Sequence, residues 1–264
     1  MIKLIASDID GTLIPYGETD LPQALFPIIR RLRAAGIHFC PASGRQFHSL
    51  RILFAPVAEE ICCLCENGAI LYGPGGEDTA PVLSKTVMPR EEALALSQAI
   101  LALPGCQILI SGANTTYICN GTPEYVQYMR GPKGNQVAEI SAPEDIREDI
   151  IKVSAYCPHG TAEPMAALGP RWGESLHMAA AGPDWVDFGL ADKGIGLKGL
   201  CAGLGVSLAD TVVFGDNWND VAMLEAAGTA YLMAGADPAL KARFPRHCKN
   251  VLVILEEILK ELGA

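Results

Sequence analysis

Two aspartates stand two residues apart near the N-terminus, in Ser7-Asp8-Ile9-Asp10-Gly11-Thr12-Leu13. Leu4, Ile5 and Ala6 ahead of them read as a short buried strand, and Gly11 behind them can open a turn. Acidic side chains at the carboxyl end of a strand in an open α/β sheet lie where such sheets bind ligands. Like charges this close favour a shared cation or a shared proton. A calcium loop does not account for them. It needs oxygen ligands at alternate positions and a glutamate at the twelfth, and the fifth and twelfth positions here are Thr12 and Thr19.

Three further polar clusters follow apolar runs or precede helical ones. Ser43-Gly44-Arg45 combines a hydroxyl with backbone N–H groups ahead of a helical stretch, which suits an anion or serves as an ordinary cap. Asp192-Lys193-Gly194 also precedes a helical stretch, and its lysine is either a phosphate partner or a solvated surface charge. Asp216-Asn217-Trp218-Asn219-Asp220 crowds four oxygen-bearing side chains behind Thr211-Val212-Val213-Phe214. Such a cluster suits Mg²⁺, or simply starts a helix.

The elements that must position these residues alternate. Helical spacing marks residues 22–35, 46–54, 194–204 and the stretch after Asp220 through Ala227. Strand character marks 37–42, 61–65, 210–215 and 230–233. That rhythm predicts βαβ units around a doubly wound, Rossmann-like parallel sheet. A glycine-rich turn, Gly73-Pro74-Gly75-Gly76, joins residues 69–72 and 82–87 as a hairpin. A helix over 89–103 follows, and then the rhythm changes. Short strands are expected at 108–110, 116–119, 137–140, 152–156, 176–179 and 185–188, with helical pieces at 123–129, 143–149 and 162–168. The expected organisation is an α/β core of residues 1–87 and 188–264 with an inserted α+β domain at 88–187. Asn250 caps a last helix whose stripe is read as Leu252, Leu255, Leu259 and Leu262.

The chain has 264 residues, half of them hydrophobic, and a formal net charge of −10. With no basic block, nucleic acid is not an expected partner, and no apolar run is long enough for a membrane. Nine scattered cysteines and no apolar leader segment predict a reduced, cytoplasmic protein with buried free thiols. Cys62-Cys63-Leu64-Cys65 lacks a second pair at zinc spacing and is read as a buried strand. The five histidines are dispersed, and Trp172 and Trp185 are read as core residues of the insertion. Trp218, inside the fourth cluster, is a candidate substrate contact.

Asp8–Thr12, Ser43, Lys193 and Gly215–Asp220, in that order, resemble the haloacid dehalogenase superfamily of phosphohydrolases. Ser43-Gly44-Arg45, Glu66-Asn67-Gly68 and a large insertion between the second and third motifs are similar to its Cof-like branch. The resemblance implies a Mg²⁺-dependent phosphatase acting on a small phosphorylated metabolite, such as a sugar phosphate, as a monomer or weak homodimer. It makes Asp8 the nucleophile that becomes an aspartyl-phosphate, and Asp10 the general acid and then base. Ser43, the Gly44 N–H, Lys193 and Asn219 would hold the phosphate. Asp8, the Asp10 main-chain carbonyl and Asp216 would hold Mg²⁺, with Thr12 and Asp220 in support. The insertion would be the lid that selects the leaving group. The run Phe188–Asp192 departs from the family pattern and sets an extra carboxylate, Asp192, beside Lys193. A phosphomutase would use the same residues but return the phosphoryl group. A non-catalytic phosphate sensor would have no need of Asp8 and Asp10.

Overall fold

The computed structural model describes residues 1–263. The first run of elements is β1 (Leu4–Ser7), α1 (Leu25–Ala34), β2 (His38–Pro41), α2 (Phe47–Leu53), β3 (Cys63–Cys65), β4 (Ile70–Tyr72) and β5 (Val82–Lys85). The middle run is α3 (Arg90–Leu101), β6 (Gln107–Ser111), β7 (Thr116–Cys119), α4 (Pro123–Arg130), β8 (Val137–Ile140), β9 (Lys152–Tyr156), α5 (Ala162–Trp172), β10 (Ala179–Ala180) and β11 (Trp185–Gly189). The last run is α6 (Lys193–Leu204), β12 (Thr211–Gly215), α7 (Val221–Ala226), β13 (Thr229–Met233), α8 (Pro238–Arg243), β14 (His247–Cys248) and α9 (Val251–Leu262). These make two compact units, one of residues 1–45, 50–84 and 192–264, the other of residues 46–49 and 85–191.

The first unit is built on a five-stranded parallel sheet ordered β14-β13-β12-β1-β2. Its central strand, β12, is buried along its whole length, which is why Thr211–Gly215 reads as one apolar run rather than an alternating one. Leu4, Ala6, Cys40, Val213 and Leu232 pack with Leu197 and Leu200 of α6 and Met223 and Leu224 of α7. Strand alternation sends Ile5, Phe39, Val212 and Phe214, all buried, to the opposite face. There α1 packs on α9, tied by Arg31 to Glu256 at 2.8 Å. The fold is therefore an α/β, Rossmann-like layer with helices on both faces. A smaller sheet, β3-β4-β5, adjoins it through a single parallel bridge between Ala42 and Leu64.

The second unit carries a six-stranded sheet ordered β10-β11-β9-β6-β7-β8, antiparallel except between β7 and β8. One face packs Ile108, Ile110, Val153, Ala155, Val186 and Phe188 against residues of α3 and α5, Trp172 among them. Leu109 and Ile118 point the other way, toward Tyr125, Val126 and Met129 of α4.

Several expected elements differ from those found. The strand expected at 176–179 shrinks to Ala179–Ala180. His177 adopts a left-handed φ of 43°, and the N–H groups of Leu176, His177 and Met178 turn back to Trp172, Glu174 and Gly173. The helix expected at 143–149 is one turn, Pro143–Asp145, after which Ile146 is extended. Ile146 and Ile150 are both buried, so their spacing imitates a helical face. Arg90 donates to the Ile146 carbonyl at 2.5 Å, a carbonyl that a helix would have used itself. In α9 the buried stripe is Val251, Leu255, Ile258 and Leu259, with Leu262 40% exposed in the last turn. Two elements were not anticipated, α8 and β14. Asp237-Pro238 was a legible start for α8, since Asp237 accepts from the Ala239 N–H at 2.7 Å and Pro238 takes the first position.

Close approach of α6 depends on its glycines. A Cβ on Gly196 would lie 2.8 Å from the Gly68 Cα and from a methyl of Leu64, and backbone cannot yield cheaply. Gly196→Ala is expected to cost about 1–3 kcal/mol by overpacking. In urea this should show as a lower midpoint with an unchanged slope.

Candidate active site

The register of the parallel sheet gathers the predicted residues. Ser7 lies beside Phe214, the Asp8 N–H donates to the Phe214 carbonyl at 2.9 Å, and the Ala42 N–H donates to the Ser7 carbonyl at 2.8 Å. Asp8, Ser43 and Asp216 thus leave three adjacent strands at the same edge. Lys193 opens α6, and its ammonium is fully buried, donating to Asp8 Oδ1 at 2.5 Å and Asp220 Oδ1 at 2.6 Å. Asp192 does not compete for that charge, because its carboxylate caps α6 by accepting from the Ile195 N–H at 2.7 Å.

The three buried carboxylates are not equally occupied. Asp220 takes Lys193 on one oxygen, and the N–H groups of Asp216 and Asn217 on the other, at 2.9 and 3.0 Å. Asp216 takes one hydroxyl on each oxygen, from Thr12 at 3.1 Å and Tyr16 at 2.6 Å. Asp8 Oδ2 is buried with no hydrogen-bond partner. Asp220 is therefore an anchor, whereas Asp8 and Asp216 keep lone pairs and charge available.

An oxygen from each of Asp8, Asp216 and Asp220 lies within 4.8 Å of the others. Against one ammonium, the three ionised groups leave two negative charges uncompensated. Burial, with Asp220 and Asp216 adding to it, pushes Asp8 up to about 8 against the pull of Lys193. Burial likewise raises Asp216, although its two hydroxyl donors oppose the rise. Lys193 is held above its ordinary value: burial acts to lower it, and Asp220 and Asp8 outweigh that. Tyr16 is raised by burial and by its bond to Asp216, so it stays a neutral donor. An all-oxygen, over-negative cluster with a buried orphan oxygen fits a hard divalent cation.

The remaining predicted residues surround this centre. Ser43 is buried and its Oγ accepts from the Arg45 N–H at 3.3 Å, a tight turn ahead of α2. That turn is braced by residues 66–67, since Asn67 N–H donates to the Ser43 carbonyl at 2.9 Å and Glu66 N–H to the Arg45 carbonyl at 3.1 Å. A Cβ on Gly44 would press on the Asn67 amide at 3.2 Å. The Asp10 side chain is 56% exposed and forked by Arg45, with bonds of 2.7 and 3.2 Å, apart from the three buried carboxylates. Asn219 is exposed on the one-turn segment between β12 and α7, and Trp218 beside it is 52% exposed. Gly11 has φ +95°, and a Cβ there would fall 2.3 Å from Asp216 Oδ2, so only glycine lets the Asp216 carboxylate come so close.

Tyr16 and the role of Arg45 were not read from sequence. Arg45 belongs to the Ser43-Gly44-Arg45 cluster, but nothing local in the sequence pairs it with Asp10. Tyr16 lies in an unpatterned loop and carried no signal at all.

A hydrolase site at the carboxyl edge of a doubly wound sheet, assembled from four separated motifs, is the class that fold and geometry define. Residues 5–251 match the model of the haloacid dehalogenase-like hydrolases. The chain is 26% identical over 268 residues to the Escherichia coli 5-amino-6-(5-phospho-D-ribitylamino)uracil phosphatase YbjI, covering 98% of this chain and 97% of that protein. It is 25% identical to the Escherichia coli pyridoxal phosphate phosphatase YbhA, covering 91% of each. A crystal structure from Eubacterium rectale superposes with a TM-score of 0.84 at 29% identity, over 97% of this chain and 99% of that one. The chain belongs to the haloacid dehalogenase-like hydrolases, in their Cof-like branch. Its reaction class is phosphoric monoester hydrolysis. Among the described residues no helix is long and apolar enough to cross a membrane.

Removing the anchor exposes its role. Asp220→Ala strips Lys193 of one of its two buried partners and leaves the buried Asp216 N–H and the half-buried Asn217 N–H without an acceptor. The loss should be roughly 3–5 kcal/mol of unfolding free energy, measurable by chemical denaturation. A loss under about 1 kcal/mol, the range of an exposed pair, would contradict this reading.

Proposed function

We propose that this chain is a Mg²⁺-dependent phosphatase that hydrolyses a small phosphorylated metabolite through an aspartyl-phosphate on Asp8. The observation that carries the proposal is the placement of Asp8: one oxygen held by a fully buried lysine, the other buried without a partner. Such a carboxylate is oriented and kept from other bonds, as a nucleophile must be.

In this reading Asp8 attacks phosphorus, and the Lys193 ammonium offsets charge shared by the carboxylate and the phosphoryl oxygens. Ser43 Oγ, the Gly44 N–H and Asn219 orient those oxygens. Asp10 gives its proton to the leaving oxygen, then takes one from the water that cleaves the aspartyl-phosphate. Its exposure suits a group that must exchange protons with solvent, and the Arg45 fork fixes where its carboxyl sits. Asp8, Asp216 and the Asp10 main-chain carbonyl would hold Mg²⁺, which would cancel the excess negative charge and draw the phosphate toward Asp8. The inserted domain, assigned to residues 88–187, selects the leaving group. The named substrates of the two Escherichia coli relatives are both phosphorylated heterocyclic compounds, so the substrate panel should hold pyridoxal phosphate beside sugar phosphates.

Hydrolysis of p-nitrophenyl phosphate and of that panel should require Mg²⁺ and stop on chelation. Asp8→Asn should lose on the order of a thousandfold or more in kcat. Turnover that survives in this variant removes Asp8 as the nucleophile. Phosphate kept and moved between positions of a sugar would mark a mutase, and an inert wild type across the panel a sensor.

Cation binding has its own readout. A ligand of the folded state at a hundredfold its Kd adds about 2.7 kcal/mol. Millimolar Mg²⁺ should raise the melting temperature of the wild type, and raise it less in Asp216→Asn.

A further inference from the structure

Cys106 and Cys157 are separated by half of the second unit in sequence, yet their sulfurs lie 3.4 Å apart. The register explains why. Gln107 at the start of β6 faces Tyr156 at the end of β9, and the antiparallel ladder places Cys106 opposite Cys157 one step further out. The pair exchanges no backbone hydrogen bonds. The Cys106 N–H donates to Leu103, and the Cys157 N–H turns away to Asp184 at 2.6 Å. A directly opposed, non-hydrogen-bonded pair brings Cα atoms to roughly 4.5 Å and its side chains closest together. That spacing lies within the range a disulfide accepts without moving the backbone.

The other cysteines make a useful contrast. All nine are free thiols, and every one except Cys106 is buried. Cys40, Cys62 and Cys201 sit in the apolar core of the first unit, out of reach of a polar oxidant. Cys106 alone combines partial exposure with a second thiol in contact.

We propose that Cys106 and Cys157 form a redox modification site, a dithiol that hydrogen peroxide converts to a cross-strand disulfide. The Cys106 sulfur attacks one peroxide oxygen. The O–O bond breaks, the departing hydroxide takes up the Cys106 thiol proton as water, and Cys106 becomes a sulfenic acid. The Cys157 sulfur then displaces hydroxide from the Cys106 sulfur, and its proton leaves with that hydroxide as water. In sum the dithiol loses two electrons and two protons, and the peroxide becomes two waters. The roles follow from the environments. Cys106 is the accessible sulfur, whereas burial, the contact with Cys106 and the Asp184 carboxylate push the Cys157 thiol up to about 12. Burial keeps Cys157 from meeting the oxidant first, and the 3.4 Å contact places its sulfur to attack the sulfenic sulfur of Cys106 once that has formed.

The bond would close a loop that holds the whole of β6, β7, α4, β8 and β9, so it should also resist unfolding of that unit. The full-length native protein is treated with about one equivalent of hydrogen peroxide, blocked with N-ethylmaleimide, and digested without reductant. The expected result is an intact mass lower by about 2 Da and a cross-linked peptide pair carrying Cys106 and Cys157. Dithiothreitol should reverse both. The cross-link should vanish in Cys106→Ser and in Cys157→Ser, and persist in Cys119→Ser, whose cysteine lies nearby in sequence. The oxidised protein should melt several degrees above the reduced one. Recovery of both thiols as maleimide adducts, oxygen additions at Cys106 with Cys157 still reduced, or a cross-link between other cysteines would each overturn the proposal. The wild-type peptide map decides these outcomes even if a serine variant fails to fold.

Discussion

Lys193 is the interaction on which the catalytic edge of the sheet depends. A fully buried ammonium held by Asp8 and Asp220 ties β1, α6 and the turn after β12 into one charged knot. Each ion placed there loses several kcal/mol of hydration, and a well-packed apolar trio would fold at least as well. Stability alone therefore does not account for the arrangement. What it provides is a carboxylate held in one orientation beside a fixed positive charge, the preorganisation that the nucleophile role proposed for Asp8 requires.

The donors around the knot divide the carboxylates by task. Asp220 receives the shared ammonium and two backbone N–H groups, which use both of its oxygens, and so behaves as structure. Asp216 receives only the neutral hydroxyls of Thr12 and Tyr16, which fix its position without cancelling its charge. Asp8 receives one cationic donor and keeps an empty oxygen. Neutral donors on one carboxylate and an orphan oxygen on the other leave the charge that a divalent cation needs. The burial that raises Asp8 and Asp216 is the same imbalance seen as proton affinity, because a proton is the substitute cation when no other is present.

The motif residues were legible because each signal is local: an apolar run, then a polar cluster, then a turn or a helix start. Asp8, Ser43 and Asp216 each follow such a run, and the parallel register did the rest. Asp192 adjoins Lys193 in sequence while Asp220 adjoins it in space, so the pairing with Asp220, which orients either Lys193 or bound water by the family resemblance, could not come from spacing. Tyr16 was invisible for a related reason. Its hydroxyl reaches Asp216 from a loop with no periodicity, made possible by the left-handed turn at Gly11. The errors in elements share one cause. Residues 143–149 and 176–179 carry the right apolar spacing, but their backbone groups bond to Arg90 or to the preceding helix. Apolar spacing reports burial, and hydrogen-bond partners decide the element.

The α6 helix shows how these levels meet. Lysine at the first position of a helix is electrostatically poor, because the helix dipole is positive there. Asp192 at the cap and Asp8 and Asp220 around the ammonium make the placement tolerable. Glycines behind it, Gly194 against the Ala222 carbonyl and Gly196 against Gly68, let the helix pack far enough inward for the ammonium to reach both carboxylates. The dipole that opposes Lys193 then becomes useful. In the proposed reaction a phosphate dianion beside the lysine would also meet the positive field of the N-terminus of α6. The run Phe188–Asp192, which departs from the family pattern in sequence, thus keeps the family's physics, since its extra carboxylate is taken up by the Ile195 N–H and not by the lysine.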